Sequence, residues 1–403
     1  MNIFQPGIGP DSSIGAGRSG PRHVEKRSST TSERTDVGTV DDLHASATRM
    51  TGLDDFGAGD DHRSALSVLL TAYAEEACLT PAGSKRTRGL LRASLISRLL
   101  AEAAWRRFPE HAGVTLPNPV FVTGLPRTGT TALHRMLAAD PAHQGPELWL
   151  TEVPQPRPPR ETWPDDPIFV TLREAYRSAG LDGVHHMGPE QVEECWRLLC
   201  QSMTSVSFEC TAHIPSYSRW LSEIDWTPAY RRHRRNLQLI GLNDPGRRWV
   251  LKNPSHLFAL DALLSVYPDA TIIQTHRDPR TAIASVCSLN TRASAGWSTV
   301  FEGAVAGKAQ LELWSRGLRR FRADRARHDP GRFIDVRYED FVASPQRTVE
   351  SIYDRLGVRL TGPARAAMAS FQEQTMRGTG KPAHTYQLSD FGLTPGDVDR
   401  AFA

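Results

Sequence analysis

Lysine is almost missing from this chain. Of its 48 basic residues only five are lysines, so arginine carries nearly all the positive charge and any lysine at a special position stands out. Large net charge is also absent. At +3, with arginines spread along the chain, there is no basic arm of the kind that holds nucleic acid. The one dense run, YRRHRRN at 230–236, reads as the solvated face of a helix. Cysteine is sparse as well. Five residues, odd in number and without CxxC or zinc-like spacing, exclude a disulfide scaffold and a structural zinc site, and read as reduced thiols of a cytoplasmic protein. No run of about 18 apolar residues exists, which excludes a membrane-spanning helix. The opening MNIFQPGIGPDSS does not have the basic-then-apolar order of a secretory signal.

What is present falls into two parts. Residues 1 to about 60 are rich in Gly, Ser, Thr, Arg and Asp and poor in large apolar side chains, a composition that reads as mostly disordered, with a short helix allowed near DDLHASATRM. Residues 61–403 read as one domain: a helical lead-in over 61–116, then a core over 117–403 with a mainly helical insertion at 168–245. Four short apolar segments in that core have the length and punctuation of strands: NPVFVTG, RRWVLKNP, ATIIQTHRDP and RFIDVRYED. Helical periods stand between and behind them. Such alternation predicts an α/β fold, a parallel sheet flanked by helices on both faces.

The first strand runs into GLPRTGTT, residues 124–131. This is the spacing of a phosphate-binding P-loop, whose glycines let backbone N–H groups converge on an anion at a helix N-terminus. The lysine that a nucleoside triphosphatase places before its Ser/Thr is missing, because position 130 is threonine. Instead a cation, Arg127, stands inside the loop, and Thr130 and Thr131 supply hydroxyls. A guanidinium fork clamps oxyanions bidentately, which suits an anion shorter than a triphosphate and held without a metal. Read alone, the loop is either an anion site or a plain strand-to-helix turn. The third strand end, THRDPRTAIAS, adds Arg277 and, eight residues on, Ser285, which would face back toward it on the next helix. Parallel neighbours put their C-terminal ends along one crevice.

GxPRTGTT, LKxPxHL, the RDPR…S strand–helix and the late YEDF together resemble the PAPS-dependent sulfotransferases, and most of all the bacterial branch with a PRSGTT-type loop. The resemblance covers roughly residues 118–403. It implies a P-loop-like sulfotransferase fold and transfer of a sulfuryl group from PAPS to a hydroxyl of a small-molecule acceptor, a secondary metabolite in this reading, with no metal. It also implies that Arg127, Thr128, Gly129, Thr130 and Thr131 grip the 5′-phosphosulfate, and that Arg277 and Ser285 hold the 3′-phosphate. Arg377, in MRGTGK, is loosely similar to the basic loop that closes over the same phosphate.

Lys252, at the end of the second strand, would reach the crevice and join Arg127 in stabilising transferred charge. The base for the acceptor hydroxyl falls between Glu147 and His256, with Glu152 as a nearby substitute for the former. His256 lies three residues beyond the place next to the lysine, which here is Asn253. His185, His186, Glu190, Glu193 and Glu194 read as a solvated loop and charged helix face rather than a metal cluster, and His213 and Tyr217 as acceptor-pocket or core residues. Two other functions stay open on the residues alone. A P-loop kinase or NTPase would use Asp335 for Mg²⁺, and a non-catalytic relative would keep the fold only for binding.

Overall fold

The computed structural model describes residues 36–178, 188–377 and 386–403, with backbone alone for 375–377. Its centre is a five-stranded sheet in the order β2-β3-β1-β4-β5. The strands are β1 (Val120–Gly124), β2 (His143–Gln144), β3 (Arg248–Lys252), β4 (Thr271–His276) and β5 (Phe333–Arg337). Every pairing is parallel, with Val120 opposite both Val250 and Thr271, and Ile272 opposite Phe333. The four strands expected from sequence are all present. The two-residue β2 is an addition, too short to have a period of its own.

Side chains alternate across the sheet, as the two-residue repeat of a strand requires. Phe121, Leu251, Ile272 and Phe333 enter one core. Val120, Val122, Val250, Ile273, Ile334 and Val336 enter the other. Both faces are therefore covered, and the strands read as continuous apolar runs. β1 sits in the middle, so whatever follows its C-terminal end lies at the centre of the crevice.

Before the sheet come α1 (Val40–Thr51), α2 (Asp61–Glu75) and α3 (Pro81–Arg107). α1 is the short helix that DDLHASATRM allowed. A capping box between Thr39 and Asp42 opens it, Gly52 closes it, and Leu43 and Ala47 are fully buried as it packs on α3. Residues 1–35 lie outside the described residues. Between β2 and β3 the chain forms the helices Pro167–Ser178, Trp196–Cys200, Pro215–Glu223 and Thr227–Ile240.

The last of these holds the YRRHRRN run, and only half of it is the solvated face expected. Arg232 and His233 are buried. Arg232 pairs with Glu102 at 2.7 Å and donates to Gln201 Oε1 and to the carbonyl of Arg98, so its charge is compensated inside the protein.

Candidate active site

The loop from β1 leads into α4 (Thr130–Ala138) with a strained, closely packed backbone. Gly124 has φ +147°, and a Cβ there would stand 2.5 Å from Thr275 Oγ1 and 2.7 Å from its carbonyl oxygen. Gly129 has φ +84°, and its Cβ would come within 3.0 Å of the Tyr338 ring. Arg127 also sits at φ +70°, a left-handed conformation that costs a non-glycine residue energy and is held only by its surroundings. Those surroundings are identifiable. The Thr128 hydroxyl donates to the carbonyl of Leu125 and lies 2.6 Å from Thr275 Oγ1, tying the loop to β4. Thr128 is thus a strut, 1% exposed, and its side chain is already engaged within the protein. Gly129 is the N-cap of α4 and supplies no capping side chain, so the first amides of that helix have no internal acceptor.

Three cations gather on this loop. Arg127 Nε donates to Ser285 Oγ at 3.0 Å. Arg277 Nη1 donates to the carbonyl of Arg127 at 2.8 Å, and its guanidinium lies 4.1 Å over the ring of Tyr338. The RDP segment and the loop are thus joined directly. Ser285 takes its position because Asp278 caps the helix Pro279–Ala293 through the amide of Arg280. The third cation, Lys252, is 2% exposed. It donates to Thr131 Oγ1 at 3.0 Å and forms an ion pair with Glu194.

Glu194 is the residue the sequence reading misplaced. It reaches Lys252 because the strap before it is sewn across the strand ends. Leu148 N–H donates to Gln191 O, Glu193 N–H to Pro146 O and Cys195 N–H to Lys252 O. Burial raises the Glu194 carboxyl above its ordinary value, with the Lys252 ammonium acting in the opposite sense. The alternation of Glu190, Glu193 and Glu194 holds no sign of this. Only the pairing of residues 145–148 with 191–193 turns one of them inward.

Both expected bases are corrected. His256 is 1% exposed, packed edge-on against Phe121, with Nδ1 at 2.7 Å from the hydroxyl of buried Tyr230. Burial holds its imidazole well below the usual range, so it is a neutral, buried core histidine. Glu147 is sealed by Arg157, whose Nε donates to it at 2.9 Å while Nη1 and Nη2 bind Gln144, Asp244 and the Gly145 carbonyl. Its carboxylate fastens the Pro-rich loop to the sheet edge. Glu152 is bound by Arg197 at 2.7 Å and receives the Tyr176 hydroxyl. Tyr217 is a core residue whose hydroxyl donates to the Met203 carbonyl, whereas His213 borders a cavity of about 180 Å³ with Glu209 and Arg316.

Asp335 is held by Arg325 through two contacts of 2.7 Å and by His276 at 2.7 Å. Arg325 pulls its carboxyl down to about 2. An acid clamped this way is poorly placed to serve a metal at the loop. Arg377 ends the helix Gly362–Arg377, but its side chain, like Lys381, His185 and His186, lies outside the described residues. Among the described residues no group of three or more His, Cys, Asp or Glu could hold a metal ion, and no helix is long and apolar enough to cross a membrane.

A loop with P-loop spacing but without the NTPase lysine, bonded to an Arg–Ser pair on the neighbouring strand–helix, has the form of a sulfotransferase-type site. The Sulfotransferase family matches residues 119–362, more than half of the chain, and the chain belongs to that family. The crystal structure of sulfotransferase STF1 from Mycobacterium tuberculosis H37Rv is 54% identical and superposes with a TM-score of 0.86, over 92% of this chain and 100% of that one. Sulfotransferase STF9 from Mycobacterium avium is 27% identical with a TM-score of 0.80, covering 90% and 95%. The omega-hydroxy-beta-dihydromenaquinone-9 sulfotransferase Stf3 of Mycobacterium bovis is 27% identical over 249 residues, 60% of this chain. The chain spans 63% of the length of that curated relative.

Proposed function

We propose that this protein transfers a sulfuryl group from PAPS to a hydroxyl of a small organic acceptor. The observation that carries the reading is the junction of Arg127, Ser285 and Arg277 around an uncapped helix N-terminus. The residues fit a phosphosulfate. A loop closed by glycines where any Cβ would collide leaves room for backbone donors, and Lys252 supplies a nearly buried charge beside Thr131. Bound PAPS supplies the sulfuryl group and a phosphate leaving group.

The chain's own residues supply the rest. Arg127, the amides that open α4 and Thr130 and Thr131 bind the 5′ end, while Arg277 and Ser285 bind the 3′-phosphate. Lys252 balances charge on the leaving phosphate, and catalysis is mainly positioning and electrostatic stabilisation. Glu194, the carboxylate beside Lys252, takes the proton of the acceptor hydroxyl. Its raised pKa brings its basicity closer to working pH. The five free cysteines suit a cytoplasmic setting. Stf3, named for a hydroxylated menaquinone, supports a hydroxyl acceptor; a secondary metabolite fits as the source of that hydroxyl.

Arg277→Ala separates the two ends of the donor. Its affinity for adenosine 3′,5′-bisphosphate should fall about 10- to 100-fold, the value of a charge-assisted guanidinium contact, while 5′-AMP changes by less than about threefold. Calorimetry with both ligands reads this. Equal losses for the two would place the 3′-phosphate elsewhere.

A further inference from the structure

The basic run of the helix Thr227–Ile240 takes no part in the site above. Arg231, Arg234 and Arg235 stand at i, i+3 and i+4, with Thr227 one turn earlier on the same face. With His111 and Ser265 they line a cavity of about 480 Å³, within the size range that holds a small organic ligand. Among the described residues no aspartate or glutamate lines it. Of the acids close by in sequence, Glu110 directly precedes His111 and acts on that ring, and Asp225 already accepts the Thr227 amide at 2.8 Å.

One of the three guanidiniums is fixed in place. Arg235 lies 4.1 Å over the Trp105 ring, and its Nε donates to His111 Nε2 at 3.2 Å. His111 Nδ1 stands 2.6 Å from the Phe108 carbonyl, so that nitrogen carries the proton and the ring accepts from Arg235 as a neutral imidazole. Three like charges one turn apart repel one another, and a bound anion would relieve that crowding. The cavity is also remote from the transfer site. His111 precedes β1 and Ser265 precedes β4, which puts it at the N-terminal edge of the sheet. Arg127, Lys252 and Arg277 stand at the ends of β1, β3 and β4 on the opposite edge.

We propose that this cavity is a second anion site, taking a small phosphorylated molecule with at least two negative charges. Guanidinium forks favour phosphate oxygens, and Thr227 and Ser265 offer hydroxyl donors beside them. The inference does not depend on the transfer reaction. Its test is titration of inorganic pyrophosphate into Arg127→Ala/Arg277→Ala protein, from which both transfer-site arginines have been removed. Binding is expected there, weakening as salt is raised, and losing about tenfold or more in affinity when Arg231→Gln and Arg234→Gln are added. Both side chains are exposed, so melting temperature should hold. No pyrophosphate binding up to about 10 mM, or binding indifferent to the two glutamines, overturns the proposal.

Discussion

Arg127→Ala should lower the rate of sulfuryl transfer by about 10²–10³-fold or more, the cost of removing a preorganised charge from a transition state. The guanidinium is bound to Ser285 and sits within the loop itself, so no neighbouring side chain can take over its position. Because the residue holds φ +70°, alanine keeps the same backbone strain as arginine and glycine relieves it. Arg127→Gly is therefore the informative companion: its fold should be at least as stable, and its turnover as poor. Arg127→Lys keeps a charge and loses the fork, and an intermediate rate is expected. Single-turnover measurement with saturating donor separates chemistry from binding. Turnover within a few-fold of the parent for all three would remove Arg127, and with it the phosphosulfate reading of the loop.

Glu194→Gln should be the second large loss, about 10²–10⁴-fold in kcat, with affinity for adenosine 3′,5′-bisphosphate within about threefold of the parent. The pH profile carries the sharper test. Glu194 is raised by burial, so its carboxylate is lost on acidification at a higher pH than for an ordinary glutamate. The parent's rate should fall on an acid limb set by that group, and Glu194→Gln should lack the limb. Glu194→Asp keeps the charge on Lys252 while moving the carboxylate back, and should retain the limb at reduced rate. A limb that persists unchanged in Glu194→Gln belongs to another group and would sink the assignment. A variant that loses bisphosphate binding as well would show Glu194 to be a support for Lys252 rather than the proton acceptor.

These two residues differ in how far the chain announces them. Arg127 is legible because a P-loop is a local object: four residues between two glycines fix their own backbone, and the replaced lysine is visible at a set spacing. Arg277 and Ser285 are legible for the same reason, through a fixed spacing from the strand end into the helix that follows it. Glu194 is not. Its place depends on a strap of residues 188–195 hydrogen-bonded to a segment about 45 residues earlier and to the end of β3. His256 misleads in the other direction. Its nearness to Lys252 in sequence suggests a catalytic base, yet the short 3-10 turn Pro254–Phe258 brings it beneath the sheet against Phe121 and Tyr230. Glu147 likewise lies at a plausible distance behind the loop, but Arg157 holds it at the sheet edge.

By itself the sequence determined the parallel α/β fold and the P-loop-like spacing with its internal arginine, because each rests on short-range periodicity, turn chemistry and spacing. Tertiary structure alone decided which carboxylate meets the buried lysine, which histidine is sealed away, and which arginines of one helix face water and which face the core. Those outcomes depend on burial and on pairings between distant segments, and no local pattern encodes the dielectric surroundings that set whether a charge is buried, paired or free.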